Sequence, residues 1–252
     1  MAIIKVSKIK KSFNGFSVLN ALDLEVMPGE TVVILGRSGT GKSVLLKHII
    51  GISKPDEGLI EIDGIPISQL VGSALYKAIL RMGMLFQDAA LFDSMSVEEN
   101  VAFFLKEHGE PRENKKLSTK EIENRTLEAL EMVGLRRIEK KMPSELSGGM
   151  RKRVALARLI VYRPSIILYD EPTAGLDPIT SMQINELIMT TQRELKTTSI
   201  VVTHDIVSAL KIGNRLALID QGKIAYIDKP SVFMKIEDPI IEFLRNTVTL
   251  SH

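Results

Sequence analysis

Gly36-Arg37-Ser38-Gly39-Thr40-Gly41-Lys42-Ser43 satisfies the pattern G-x-x-x-x-G-K-[ST] at every fixed position. Before it, Thr31-Val32-Val33-Ile34-Leu35 is a short apolar run rich in β-branched residues, which predicts a buried strand. After it, residues 44–50 predict a helix that Gly51 stops. Strand, glycine loop and helix form the context in which such a loop binds phosphate. The glycines let the backbone turn tightly and present successive N–H groups, and the helix adds the positive end of its dipole. Lys42 can reach terminal phosphates as a point charge, and Ser43 offers a hydroxyl to Mg²⁺.

A chain of 252 residues holds one large α/β domain or a domain with an inserted lobe. Its 44% hydrophobic content supplies an ordinary core. The apolar runs fall far short of the roughly 20 residues that cross a bilayer. Met1-Ala2-Ile3-Ile4-Lys5-Val6 runs directly into strand-like alternation, so no secretory leader is expected. The absence of cysteine excludes disulfides and thiolate metal sites and agrees with a reducing cytoplasm. With 33 basic and 31 acidic residues, the balance argues against a general nucleic-acid binder.

Outward from the loop, residues 3–9 and 22–26 read as strands connected through residues 11–16. Phe13 and Phe16 in that connection are each placed either to stack on a nucleobase or to fill the core. Residues 57–67 alternate around Asp63-Gly64, which predicts a hairpin and hence a small antiparallel sheet beside the parallel strands. Residues 81–87 form a short strand ending on Gln87. From about residue 95 to 160 the pattern turns helical. Ser96 with Glu99 three residues on marks one helix start. Residues 109–118, charged and aperiodic, read as a solvated loop. Ile122, Thr126, Leu130 and Val133 share one helical face that Gly134 closes.

Ser147-Gly148-Gly149 opens a further helix, with Val154, Ala157 and Val161 along one side. A cap hydroxyl, bare backbone N–H groups and a helix dipole make a second anion site, although a plain glycine-rich cap would look the same. Two such helix starts in one chain suggest a symmetric dimer in which each ATP is gripped by both copies. Residues 165–171 form a hydrophobic strand ending in Asp170-Glu171, where ligands sit in open α/β sheets. Asp170 suits Mg²⁺ and Glu171 can polarise an attacking water. Residues 172–178 turn with another acid, Asp177. Residues 198–202 are a buried strand followed by His204, which is placed to bond a phosphate or to act structurally. Residues 215–227 read as a hairpin. Residues 231–246 read as a helical piece burying Phe233, Ile236, Ile241 and Leu244.

The succession of phosphate loop, Gln87, Leu146-Ser147-Gly148-Gly149, Asp170-Glu171, Leu176-Asp177 and His204 resembles the nucleotide-binding subunits of ABC transporters across nearly the whole chain. The resemblance implies an α/β fold of that type: a P-loop NTPase (RecA-like) core over residues 1–94 and 161–228 with a small antiparallel β-subdomain. It also implies an inserted α-helical subdomain over 95–160 and a short tail over 229–252. It further implies an ATPase using ATP and Mg²⁺. Phe13 stands where the adenine-stacking aromatic lies. Gly36, Arg37, Ser38, Gly39, Thr40, Gly41, Lys42 and Ser43 would bind the phosphates, and Ser43, Gln87 and Asp170 the Mg²⁺. Glu171 would be the catalytic carboxylate, with His204 and Gln87 assisting. Ser147, Gly148 and Gly149 would contact the ATP held by the opposite protomer, and Asp177 the dimer interface. The implied partner is a membrane permease carrying a homodimer, peripheral to the cytoplasmic face of the inner membrane, with membrane contact through the permease only.

Where the usual signature ends in glutamine, Met150 follows Gly149. Residues 146–158 and 169–178 resemble those of the ATPases of Mla/Mce-type phospholipid transporters, a likeness that adds a Mce-type lipid-binding protein to the implied partners. Met150 removes an amide and leaves the backbone N–H site intact. The alternative is an ABC importer of a polar, amino-acid-like solute, which the catalytic residues do not distinguish from a lipid transporter. A soluble ABC ATPase acting on ribosomes or DNA is disfavoured by the single phosphate loop, the single signature and the lack of heptads. Arg151-Lys152-Arg153 is too short for a nucleic-acid surface and reads as a solvated helix face.

Overall fold

A computed structural model describes residues 1–111 and 115–249. In chain order it begins with strands β1 (Ile4–Phe13), β2 (Phe16–Val26) and β3 (Thr31–Leu35), then helix α1 (Lys42–Ile49). There follow β4 (Glu57–Ile62), α2 (Gly72–Ile79), β5 (Met82–Leu85), α3 (Val97–His108), α4 (Thr119–Met132) and α5 (Gly148–Ile160). The rest comprises β6 (Ile166–Asp170), α6 (Pro178–Leu195), β7 (Thr198–Thr203), α7 (Ile206–Ile212), β8 (Arg215–Asp220), β9 (Lys223–Asp228), α8 (Pro230–Phe233) and α9 (Pro239–Thr249). These divide into two compact units, one of residues 1–79 with 197–252 and one of residues 80–196.

In the first unit β2, β1 and β4 form an antiparallel sheet. Ile4 pairs with Val26 on one side and Ile62 on the other, and all three are buried. β1 and β2 extend beyond the expected strands, through the residues expected to connect them. Asn14 (φ 50°) and Gly15 (φ 81°) supply the two left-handed positions of a tight hairpin turn, and bulges let both strands carry polar residues further. The Asp63-Gly64 hairpin shrinks to one bridge between Ile62 and Ile65. Pro66 lacks an N–H to continue the ladder, and the chain enters a 3₁₀ turn at Ile67. Beside this sheet, β3 lies parallel between β7 and β8, with β9 antiparallel on β8. Every residue of β3 and β7 is buried, as strands covered on both faces require.

The second unit carries the parallel pair β5–β6 with helices α3 to α6. Phe104 of α3 stacks on Tyr162 at 3.9 Å, and the Tyr162 hydroxyl donates to the Met82 carbonyl at 3.1 Å. Ser96 and Glu99 form the expected capping box on α3, and Ser118 with Glu121 repeats it on α4. Ser96→Ala should lower unfolding free energy by about 1 kcal/mol; an unchanged urea midpoint would deny the cap that weight. The loop expected to be solvated is partly enclosed. Glu110 is 3% exposed and ion-paired with Arg125, because a carboxylate can be buried only against a partner. The part of that reading on residues 112–114 lies outside the described residues. Among those described, no helix is long and apolar enough to cross a membrane.

Candidate functional site

The phosphate loop belongs to the first unit. β3 delivers Gly36 at its C-terminal end, where a Cβ would lie 2.6 Å from Ile219 Cγ2 and 2.8 Å from the Ile219 carbonyl oxygen. Gly41 has φ 95°, and Val18 and Leu19 of β2 press within 3.1 Å of where its Cβ would be. Only glycine fits at either position. Gly41 is also the N-cap of α1, bringing no side chain to the cap, and the first turn holds no acid. The positive end of the helix is therefore left for an anion. Lys42 is 6% exposed and folds back under the loop, its Nζ donating to the carbonyls of Gly36 (2.8 Å) and Arg37 (3.1 Å). Arg37, Ser38 and Gly39 are exposed; Thr40 Oγ1 donates to the Arg37 carbonyl at 2.9 Å.

His204, exposed just past β7, lines a cavity of about 440 Å³ with Gly36, Arg37 and the apolar residues Ile240, Phe243 and Leu244 of α9. Phe13 and Phe16 face each other across the β1–β2 turn and are 47% and 78% exposed, so neither is core. Lys11 Nζ stands 5.4 Å from the Phe13 ring centroid.

The acidic residues Asp170 and Glu171 belong to the second unit. β6 is buried along its whole length and ends on Asp170, itself 6% exposed. Glu171, the next residue, is held at φ 47°, a left-handed backbone that a glutamate seldom adopts. Such strain concentrates at functional sites. Ser147 caps α5 by accepting from the Met150 N–H at 3.3 Å, so the residue that replaces the usual glutamine still serves the cap through its backbone. Ser147 and Gly148 are exposed. Asp177 caps α6, accepting from Thr180 N at 3.0 Å and Thr180 Oγ1 at 2.5 Å. Those bonds hold its carboxyl below the usual range. Gln87 is exposed just past β5.

The sequence reading missed two cations of α5. Lys152, expected on a solvated face, is 6% exposed. Consecutive helical residues point about 100° apart, so three adjacent cations cannot share one face: Arg151 is exposed, Lys152 buried and Arg153 between. Lys152 Nζ donates to the carbonyls of Ala174 (2.7 Å), Pro172 (2.9 Å) and Glu171 (3.4 Å). Burial holds its ammonium below the ordinary lysine range. Arg158 donates to the carbonyls of Ala90 (2.8 Å) and Ala89 (3.1 Å), both at positive φ shortly after Gln87.

Residues 19–174 match the ABC transporter family. The chain belongs to the ABC transporter family. Membership brings the enzyme class with it: the chain is an ATPase of the transporter type, on the α/β fold of the ABC cassette. At 42% identity it resembles the "Intermembrane phospholipid transport system ATP-binding protein MlaF" of Haemophilus influenzae, over 96% of this chain and 90% of that one. It is 39% identical to the "Probable ribonucleotide transport ATP-binding protein mkl" of Mycobacterium tuberculosis over 96% of this chain. It spans 66% of that relative's length. Among solved structures, the dimeric ATP-binding cassette MJ0796 in a post-hydrolysis state with ADP and phosphate superposes with a TM-score of 0.80 at 33% identity. That match covers 90% of this chain and 98% of the other. Within the first unit the glycine cradle over Lys42 suits a phosphate chain and Ser43 offers an oxygen to a hard divalent cation; within the second, Asp170 offers another oxygen of that kind, so each set of residues in this ABC ATPase fits the chemistry of ATP with Mg²⁺.

Proposed function

We propose that the protein binds ATP with Mg²⁺, dimerises around two ATP molecules and uses their hydrolysis to drive a membrane permease that moves phospholipid. The observation that carries the lipid reading is the 42% identity to the H. influenzae MlaF protein over 90% of that chain, together with Met150 in the signature. The name of the mycobacterial relative, ribonucleotide transport, supports a polar cargo instead and is the second reading.

The chemistry needs positioning and charge neutralisation more than covalent catalysis. Residues 36–43 hold the phosphates, with Lys42 releasing its loop carbonyls to do so, and Phe13 stacks on the adenine. Ser43, Gln87 and Asp170 would hold Mg²⁺, which would neutralise phosphate charge when bound. Glu171 orients and deprotonates the attacking water, and His204 contacts the terminal phosphate. Ser147, Gly148, Gly149 and Asp177 act across the dimer. Coupling to the permease runs through the region of Gln87 and the helical segment 95–160. The ATPase is peripheral, on the cytoplasmic face of the inner membrane.

Affinity purification of the tagged chain from detergent-solubilised membranes, with proteins and lipids identified by mass spectrometry, tests the reading. Co-purification of a polytopic permease, a Mce-type protein and phospholipid is expected. A permease with a soluble solute-binding protein would transfer the assignment to polar cargo, and recovery of ribosomes or DNA-associated proteins without a permease would overturn transport.

A further inference from the structure

Two segments of the second unit that follow site residues, Glu171 itself and Ala89-Ala90 after Gln87, sit in left-handed backbone without glycine. Each is tied by its carbonyls to a cation of α5, the helix that Ser147 caps. From the first of these ties we infer that Lys152 is a positioning residue for ATP hydrolysis, fixing the backbone from which Glu171 projects and linking it to the signature helix. This inference rests on the proposed catalytic role of Glu171.

Three carbonyl oxygens, of Glu171, Pro172 and Ala174, converge on one ammonium. A buried charge persists only with such partners, and carbonyls turned inward are costly to leave unpaired. The ammonium and the segment therefore hold each other. Glu171 precedes proline, which disfavours the ordinary helical backbone at that position, and the Ala174 N–H closes a turn on the Glu171 carbonyl at 3.1 Å. With φ and the carbonyl direction fixed, the Cα–Cβ bond of Glu171 is fixed too. The charges of Asp88 and Glu171 act on Lys152 against the effect of its burial.

The test uses the purified full-length chain. Lys152→Met should lower kcat by about 10- to 100-fold through misplacement of the carboxylate, with the KM for ATP within about twofold. Lys152→Arg, which keeps charge and donors, should recover most of kcat. In a Glu171→Gln background Lys152→Met should cause no further loss, because the group it positions is gone. Should Lys152→Met fail to fold, Lys152→Gln keeps N–H donors and should show the same split in milder form. Unchanged kcat in folded Lys152→Met or Lys152→Gln, or a loss that adds fully to that of Glu171→Gln, would overturn the inference. Full turnover in Glu171→Gln alone would instead overturn the role of Glu171.

Discussion

Glu171→Gln is expected to lower saturated ATP turnover by about 10²- to 10⁴-fold, the range of a lost general base, while ATP affinity stays within about twofold of wild type. The amide keeps the volume and the acceptor oxygen but cannot take a proton from water. Glu171 stands immediately after the buried Asp170, on backbone at φ 47°. Its carbonyl is engaged by Lys152 and by the Ala174 N–H. A side chain on so constrained a backbone has little room to be replaced by a neighbour. A group acting only in the transition state lowers kcat and kcat/KM together. Phosphate release at saturating ATP, paired with a nucleotide titration, separates the two quantities. Turnover within tenfold of wild type would move the proton transfer to another residue.

The parts of this molecule legible in the sequence are those decided within a few residues. Thr31–Leu35 is a strand because five consecutive apolar or β-branched residues fit a doubly covered position, and Ser96 with Glu99 forms a cap by local bonding alone. The phosphate loop needed only its own spacing. The errors lie where distant partners decide. Asp63-Gly64 turns as expected but finds no second strand, since Pro66 follows and β4 pairs instead with β1. Asn14-Gly15 carried a hairpin signal as strong, obscured by the polar residues around it. The turn expected over residues 172–178 leads into helix α6, for which no element is expected above, although Asp177-Pro178 is a cap followed by a first-turn proline, because Ile179 and Met182 are exposed and blur its periodicity. Lys152 and Arg158 left no sequence signal: a buried cation is improbable until the carbonyls that receive it are seen.

Lys42→Ala is expected to weaken ATP binding by about 2–5 kcal/mol, the cost of removing one partner of a buried charge pair, or roughly 30-fold to several-thousand-fold in Kd. The side chain is enclosed rather than solvated, at 6% exposure, and its ammonium already lies against the carbonyls of Gly36 and Arg37. In its proposed role it would therefore meet a phosphate without the full cost of desolvation or of ordering a long side chain. The same bonds mean that its loss also slackens the empty loop, so the variant should melt somewhat lower without nucleotide. The diagnostic quantity is the ATP-induced rise in melting temperature, which scales with affinity and is internally referenced to the variant's own nucleotide-free state. That rise should shrink sharply in Lys42→Ala and persist in Glu171→Gln, since in the proposed mechanism one residue acts on bound phosphate and the other on the water that attacks it. Equal rises in wild type and Lys42→Ala would show that the backbone cradle and helix dipole carry the phosphates without the ammonium.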